Sequence, residues 1–175
     1  MTLLELNTLD NQKAYQWFES CCAAPRWCSQ MVAQRPFETA ERLHTTAFEI
    51  WQGLNNSDYL QAFEAHPMIG DINTLKKKYA STSAVAKNEQ AGAALADEKT
   101  LFALQTLNKE YLEKNGFIFI ICATGLSAKQ MLQELKKRIK NGRKQEIQIA
   151  AAQQMMITKI RINKQLNLTD QGLNT

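Results

Sequence analysis

The chain holds two histidines, and one of them stands at a forced chain break. In EAHPMIGD, residues 64–71, His66 follows a run of helical composition and directly precedes Pro67, with Gly70 four residues on. The carbonyl end of a helix dipole favours a cation, so an imidazole placed there stays protonatable near neutral pH. The proline then fixes the direction of the chain. Two readings fit: a rigidly aimed general acid/base, or a polar cap that bonds the last carbonyls of the helix. His44 lies mid-helix beside Thr45 and Thr46 and is given no role.

Two further places could do chemistry. SAVAKNEQAG, residues 83–92, sets Glu89 and Gln90 among small residues that let a ligand come close. A carboxylate beside a carboxamide can accept from and donate to a flat, nitrogen-rich ring, and it can equally be a solvated helical pair. Arg161 shares a helix face with Ala150, Gln154 and Ile157. It either snorkels its stem along apolar surface or grips an anion with its planar fork.

The elements that must position these residues are helices. The 175 residues suit a single domain, residues 1–175, with a sizeable core. Gly and Pro number only 7 and 3, while Ala, Leu, Gln, Lys and Glu are plentiful. Asp10 caps a helix through Trp17 and Cys21, Pro25 opens a second, and a third runs after Pro36 to Gly53. Ser57 caps a short fourth helix that Pro67 stops. Turns of helix follow at 75–79 and 83–94, and Asp97 caps a long helix closed by Gly116. FIFIICATG is apolar without alternation, either a buried extended segment or a buried helix start. Ser127 caps the next helix, Asn141-Gly142 closes it, and a last helix runs from about Lys144 to Leu166. The fold class is all-α, a single-domain helical bundle of roughly eight helices.

Charge and cysteine usage narrow the classes. The net charge is +4, and LKKKY (75–79) and LKKRIKNGRK (135–144) are basic without interleaved aromatics, so they read as solvated helix faces and no nucleic acid is expected. The longest apolar run, FIFIICA, is far shorter than the about 20 residues that span a bilayer. Cys21, Cys22, Cys28 and Cys122 form no CxxC pair, and with no signal-peptide pattern in MTLLELNTLDNQ the expectation is free thiols, no metal and a cytoplasmic location.

The order of the blocks is more specific than any one of them. HPMIG (66–70), EQAG (89–92), NKEYLEKNGFIFI (108–120), RIKNG (138–142) and the late Arg161 together resemble the 2-oxo-4-hydroxy-4-carboxy-5-ureidoimidazoline (OHCU) decarboxylases over nearly the whole chain. The resemblance implies an all-α enzyme, usually a homodimer, that needs no metal or organic cofactor and converts OHCU to (S)-allantoin in urate breakdown. Carried over by position, His66 is the catalytic acid/base and Glu89 holds it or the substrate hydroxyl. Gln90 bonds ring or ureido amides, and Arg161 clamps an anionic or carbonyl oxygen. Pro67 and the backbone of Phe119, Ile120, Ile121, Cys122 and Ala123 line the pocket. The family often has a serine three residues before the Glu. Here Ala86 takes that place in the binding loop, with Ser81 and Ser83 slightly earlier. Met68 stands where many members carry a charged residue. Two other classes fit the residues: a non-catalytic helical binding module with His66 as a cap, and a cofactor-free enzyme on a related ureido or imidazole acid.

Overall fold

The computed structural model describes residues 1–66 and 90–168, and of residues 90–97 the backbone alone. Its regular elements, among the described residues, are eight helices: α1 (Leu3–Thr8), α2 (Asn11–Cys21), α3 (Pro25–Ala33), α4 (Ala40–Gln52), α5 (Asn56–Glu64), α6 (Gln90–Asn115), α7 (Ala128–Arg138) and α8 (Arg143–Gln165). The expected all-α class is what forms.

Most boundaries follow from capping chemistry. Asp10 accepts the Lys13 N–H at 2.8 Å to start α2, Pro25 sits in the first turn of α3, and Ser127 exchanges bonds with Gln130 to start α7. Two expectations are corrected. Ser57 does not cap α5; Asn55 does, its Oδ1 accepting from the N–H groups of Ser57 (2.8 Å) and Asp58 (3.1 Å) while Asp58 accepts from the Asn55 N–H (3.0 Å). That reciprocal box satisfies more orphan donors than a hydroxyl at position 57 could. Nor does Asp97 cap the long helix, because α6 already begins at Gln90 and its backbone is helical through 97. The alanine-rich stretch QAGAALA has the propensity to carry the helix upstream. The turns expected over 75–79 and 83–89 lie outside the described residues.

The described residues group into two compact units: Met1–Ala65 with the chain from Ala151 onward, and His66–Ala150. In the first, α3 packs on α2, α4 and α5 around Phe18, Trp27, Met31, Leu43, Trp51 and Phe63, all at most 1% exposed. A buried indole or phenol needs a partner for its polar hydrogen. Trp27 Nε1 donates to the Ala47 carbonyl at 3.0 Å, Trp51 Nε1 to that of Ala151 at 3.1 Å, and the Tyr59 hydroxyl to that of Trp51 at 3.0 Å. His44, with no role expected from its place in mid-helix, lies 2.7 Å through Nε2 from Asn163 Oδ1 and so ties α4 to α8. Burial lowers its pKa below the ordinary 6.5, against the Asn163 hydrogen bond and the Glu41 carboxylate that raise it.

In the second unit α6 packs on α7, and a buried ion pair sits at the centre. Arg138 Nε donates to Glu146 Oε2 at 2.9 Å, and Nη2 lies 2.9 Å from the same oxygen as a charge contact without a hydrogen bond. The Tyr111 hydroxyl donates to that oxygen at 2.6 Å, and Asn141 Nδ2 donates to Oε1 at 2.7 Å. Burial first, then the Glu146 hydrogen bond, pushes the Tyr111 phenol well above its usual range, so it remains a donor. Arg138 Nη1 donates to the Ile120 carbonyl at 2.7 Å, and its guanidinium lies 4.6 Å over the Phe119 ring. Lys114 donates to the carbonyls of Ile139 and Asn141, and Arg143 Nε to that of Asn115 at 2.7 Å. The run read as a solvated face is therefore mixed: Lys136, Lys137, Lys140 and Lys144 are exposed, but Arg138 is buried.

Removing one partner of a buried pair leaves an uncompensated charge, so Arg138→Met should cost about 3–5 kcal/mol. Tyr111→Phe, which removes one donor, should cost about 1–3 kcal/mol. Urea unfolding of both variants checks the ranking, and equal losses would contradict it. The depressed His44 pKa makes the unfolded chain the better proton binder, so stability is fullest above the ordinary value of 6.5 and falls as pH drops below it toward the folded pKa. Urea midpoints at about pH 7.5 and about pH 5 should differ less in His44→Gln than in the parent protein.

Candidate active site

The segment after α6 shows how local sequence builds one wall of the proposed site. Gly116 closes the helix at φ +73°, a left-handed turn that a side chain would strain, and its N–H bonds the Leu112 carbonyl at 2.8 Å. FIFIIC then offers no helix cap until Ser127, and residues 118–123 form neither helix nor strand. That settles the open choice against a helix start. Phe119, Ile120 and Ile121 are buried, while Cys122 and Ala123 are half-buried. Among the described residues, the backbone of 118–121 makes one hydrogen bond, the Ile120 carbonyl with Arg138.

His66 is half-buried, one residue beyond Ala65, the C-cap of α5. Its position at a carbonyl end is the one inferred from the sequence. His66 and residues 119–123 fall in the same compact unit. Pro67, Met68, Ser81, Ser83, Ala86 and Glu89 lie outside the described residues. Gln90 is the first residue of α6, described by its backbone.

Arg161 belongs to the other unit. It is half-buried on α8, and its Nη1 donates to the carbonyl of Cys21, the last residue of α2, at 3.1 Å. A turn further along, Gln165 Nε2 donates to Ser20 Oγ at 2.8 Å and meets Cys21 Sγ at 3.2 Å. The guanidinium is thus anchored on a helix C-terminus, where both the dipole and an orphan carbonyl favour it. Among the described residues no carboxylate pairs with it, since none of their salt bridges includes Arg161. The adjacent Cys21 thiol, pushed up to about 12 by burial, supplies no counter-charge at neutral pH. A held guanidinium with no anionic partner can receive one.

Sequence reasoning missed the residues behind residues 119–123. Tyr111 and Arg138 stand inside the NKEYLEKNGFIFI and RIKNG blocks without a role, and Glu146 lies outside every block. A signal existed: an acid beside Ile147 on an apolar helix stripe asks for a buried base. The four cysteines are free thiols, with Cys21, Cys22 and Cys28 buried and Cys122 half-buried. Among the described residues no group of three or more His, Cys, Asp or Glu could hold a metal ion, and no helix is long and apolar enough to cross a membrane.

Comparison with known proteins converges on one family. The family model described as OHCU decarboxylase matches residues 7–163. The uric acid degradation bifunctional protein TTL of Arabidopsis thaliana is 38% identical over 148 residues, which are 82% of this chain and 44% of that protein, so the chain spans less than half the length of that relative. The 2-oxo-4-hydroxy-4-carboxy-5-ureidoimidazoline decarboxylase of Xenopus laevis is 27% identical over 91% of this chain and 93% of its own length. A crystal structure of OHCU decarboxylase in the presence of (S)-allantoin aligns with a TM-score of 0.69 at 34% identity, covering 87% of this chain and 98% of that one. The likeness to a crystal structure of (S)-allantoin synthase, with a TM-score of 0.66 at 17% identity over 95% of this chain and 54% of that one, concerns the fold alone. With a match running across both compact units and through every block from HPMIG to Arg161, the chain belongs to the OHCU decarboxylase family.

Proposed function

We propose that this chain decarboxylates OHCU to (S)-allantoin in urate breakdown. The observation that carries the reading is the family match over residues 7–163. The relatives named for this activity, and the structure solved with (S)-allantoin, support it. The substrate carries its own electron sink. The bond from the ring carbon to the carboxylate breaks, CO2 departs, and the electron pair enters the adjacent C=N bond. One proton then returns to that carbon from one face. Because the ring accepts the electrons, the reaction asks for orientation, charge stabilisation and a proton donor, and for neither metal nor organic cofactor.

In this proposal His66 is the acid/base that delivers the proton, and its place past the end of α5 supports the assignment. Glu89 holds His66 or the substrate hydroxyl, and Gln90 bonds the ring or ureido amides. Arg161 clamps an anionic or carbonyl oxygen; its anchored, carboxylate-free guanidinium favours a clamp over a snorkelling stem. Pro67, Ala86 and the backbone of 119–123 complete the lining. A homodimer in the cytoplasm is the setting proposed for it.

The test is decarboxylation of OHCU made fresh from urate, followed against the spontaneous reaction. A binding module would give no acceleration, and an enzyme for a related acid would act on that acid and leave OHCU alone. His66→Asn should lower the rate about 10²- to 10⁴-fold while costing about 1 kcal/mol of stability, the worth of a cap. Near-normal kcat in that variant would remove His66 from the chemistry. Arg161→Lys keeps charge and stem but loses the two-point contact, so kcat/KM should fall roughly 10- to 150-fold. A value within about twofold of the parent would return Arg161 to a snorkelling role.

A further inference from the structure

We propose that Arg138, fixed by Glu146, is a positioning residue for this reaction: it sets the peptide between Ile120 and Ile121 and thereby aims the Ile121 N–H at the substrate. The inference rests on the decarboxylase reading above and adds to it a residue that does not touch the substrate.

Burial alone does not set that peptide. Phe119, Ile120 and Ile121 are held by apolar contact, which is non-directional, so a peptide plane can rotate with little change in buried area. No backbone–backbone hydrogen bond steadies residues 118–121 among the described residues. Among the described residues, the one directional contact of their backbone is the 2.7 Å bond from Arg138 Nη1 to the Ile120 carbonyl. In a planar trans peptide the C=O and the following N–H point in opposite directions. Holding the Ile120 carbonyl toward Arg138 therefore turns the Ile121 N–H away from it.

That N–H makes no hydrogen bond among the described residues, although Ile121 is only 9% exposed. A buried backbone donor without a partner is rare, and an acceptor on a ligand would satisfy it. The chemistry that fits is a ureido or ring carbonyl oxygen. Arg138 is itself over-determined: Glu146 holds Nε and Nη2, the Phe119 ring lies against its guanidinium, and Tyr111 and Asn141 hold the carboxylate from the other sides. A lysine at 138 could keep the charge beside Glu146, but one ammonium cannot also reproduce the planar reach to Ile120.

Steady-state kinetics with freshly generated OHCU, alongside melting curves, test the proposal. Arg138→Lys should raise KM about tenfold, the effect of one misplaced hydrogen bond, with kcat changed less than about threefold. Glu146→Gln, which loosens the guanidinium, should move KM in the same direction. Tyr111→Phe leaves the Arg138–Ile120 bond intact, so it should lower the melting temperature and leave KM unchanged. Unchanged KM in Arg138→Lys, or an equal rise in Tyr111→Phe, would overturn the inference by reducing the network to a structural role. A measurement on the unaltered protein stands beside these in case a variant does not fold. Added (S)-allantoin should shift the backbone amide resonance of Ile121, and an amide that stays put overturns the proposal. An unaltered protein that does not accelerate decarboxylation would overturn the activity reading itself, whereas an active protein with unperturbed Arg138→Lys kinetics would overturn this inference alone.

Discussion

The Glu146 carboxylate is the point on which the second compact unit depends. Taking a charge out of water is expensive, and the cost is recovered only when the geometry is good and the remaining lone pairs are satisfied. Glu146 is fully buried, and three elements converge to meet it: Arg138 from the end of α7, Tyr111 from α6 and Asn141 from the turn before α8. Because losing Arg138 would strand the charge and losing Tyr111 or Asn141 would cost the carboxylate a donor, Glu146 fixes where α6, the α7–α8 turn and the start of α8 meet. The irregular 117–123 segment inherits its order from that junction through Arg138 and the Phe119 ring.

The first unit solves a similar problem with neutral groups. Two of its buried indoles, Trp27 and Trp51, and the Tyr59 phenol each spend their polar hydrogen on a helix carbonyl, which locks helices in register at low electrostatic cost. The helix end is put to different use. Arg161 takes the last carbonyl of α2, and His66 follows the last turn of α5. Both proposed functional side chains thus stand at carbonyl ends, where the helix dipole favours positive charge. Rigid helices can hold such groups in place with little reorganisation, which suits a reaction that needs a well-aimed proton and an oriented carboxylate and little else.

Legibility in the sequence followed the range of the interaction. Caps and terminators are local, so Asp10, Pro25, Ser127 and Gly116 could be read directly, as could the placement of His66 at a helix end. Where two local signals competed, the reciprocal capping box of Asn55 won over Ser57, and the helix propensity of the alanine-rich run from Gln90 won over a cap at Asp97. The buried Arg138 was hidden for the opposite reason. Its neighbours Lys136, Lys137 and Lys140 are solvated, and only its helical spacing from Met131 and Leu135 sets this one cation of the run apart.

Legible along the chain alone were the helical class, most helix ends, the ordered blocks that place the chain in its family and His66 as a candidate acid/base at a helix end. These depend on propensity, periodicity and spacing along one strand of chain. Only the tertiary structure decided that FIFIIC is irregular backbone rather than a helix start, that the Ile120 carbonyl is already taken, that His44 ties α4 to α8, and that Arg161 is anchored on Cys21. The last three of those outcomes rest on a partner between 18 and 140 residues away, and such a partner is chosen by packing and by the cost of burying an unpaired polar group, which no local pattern encodes.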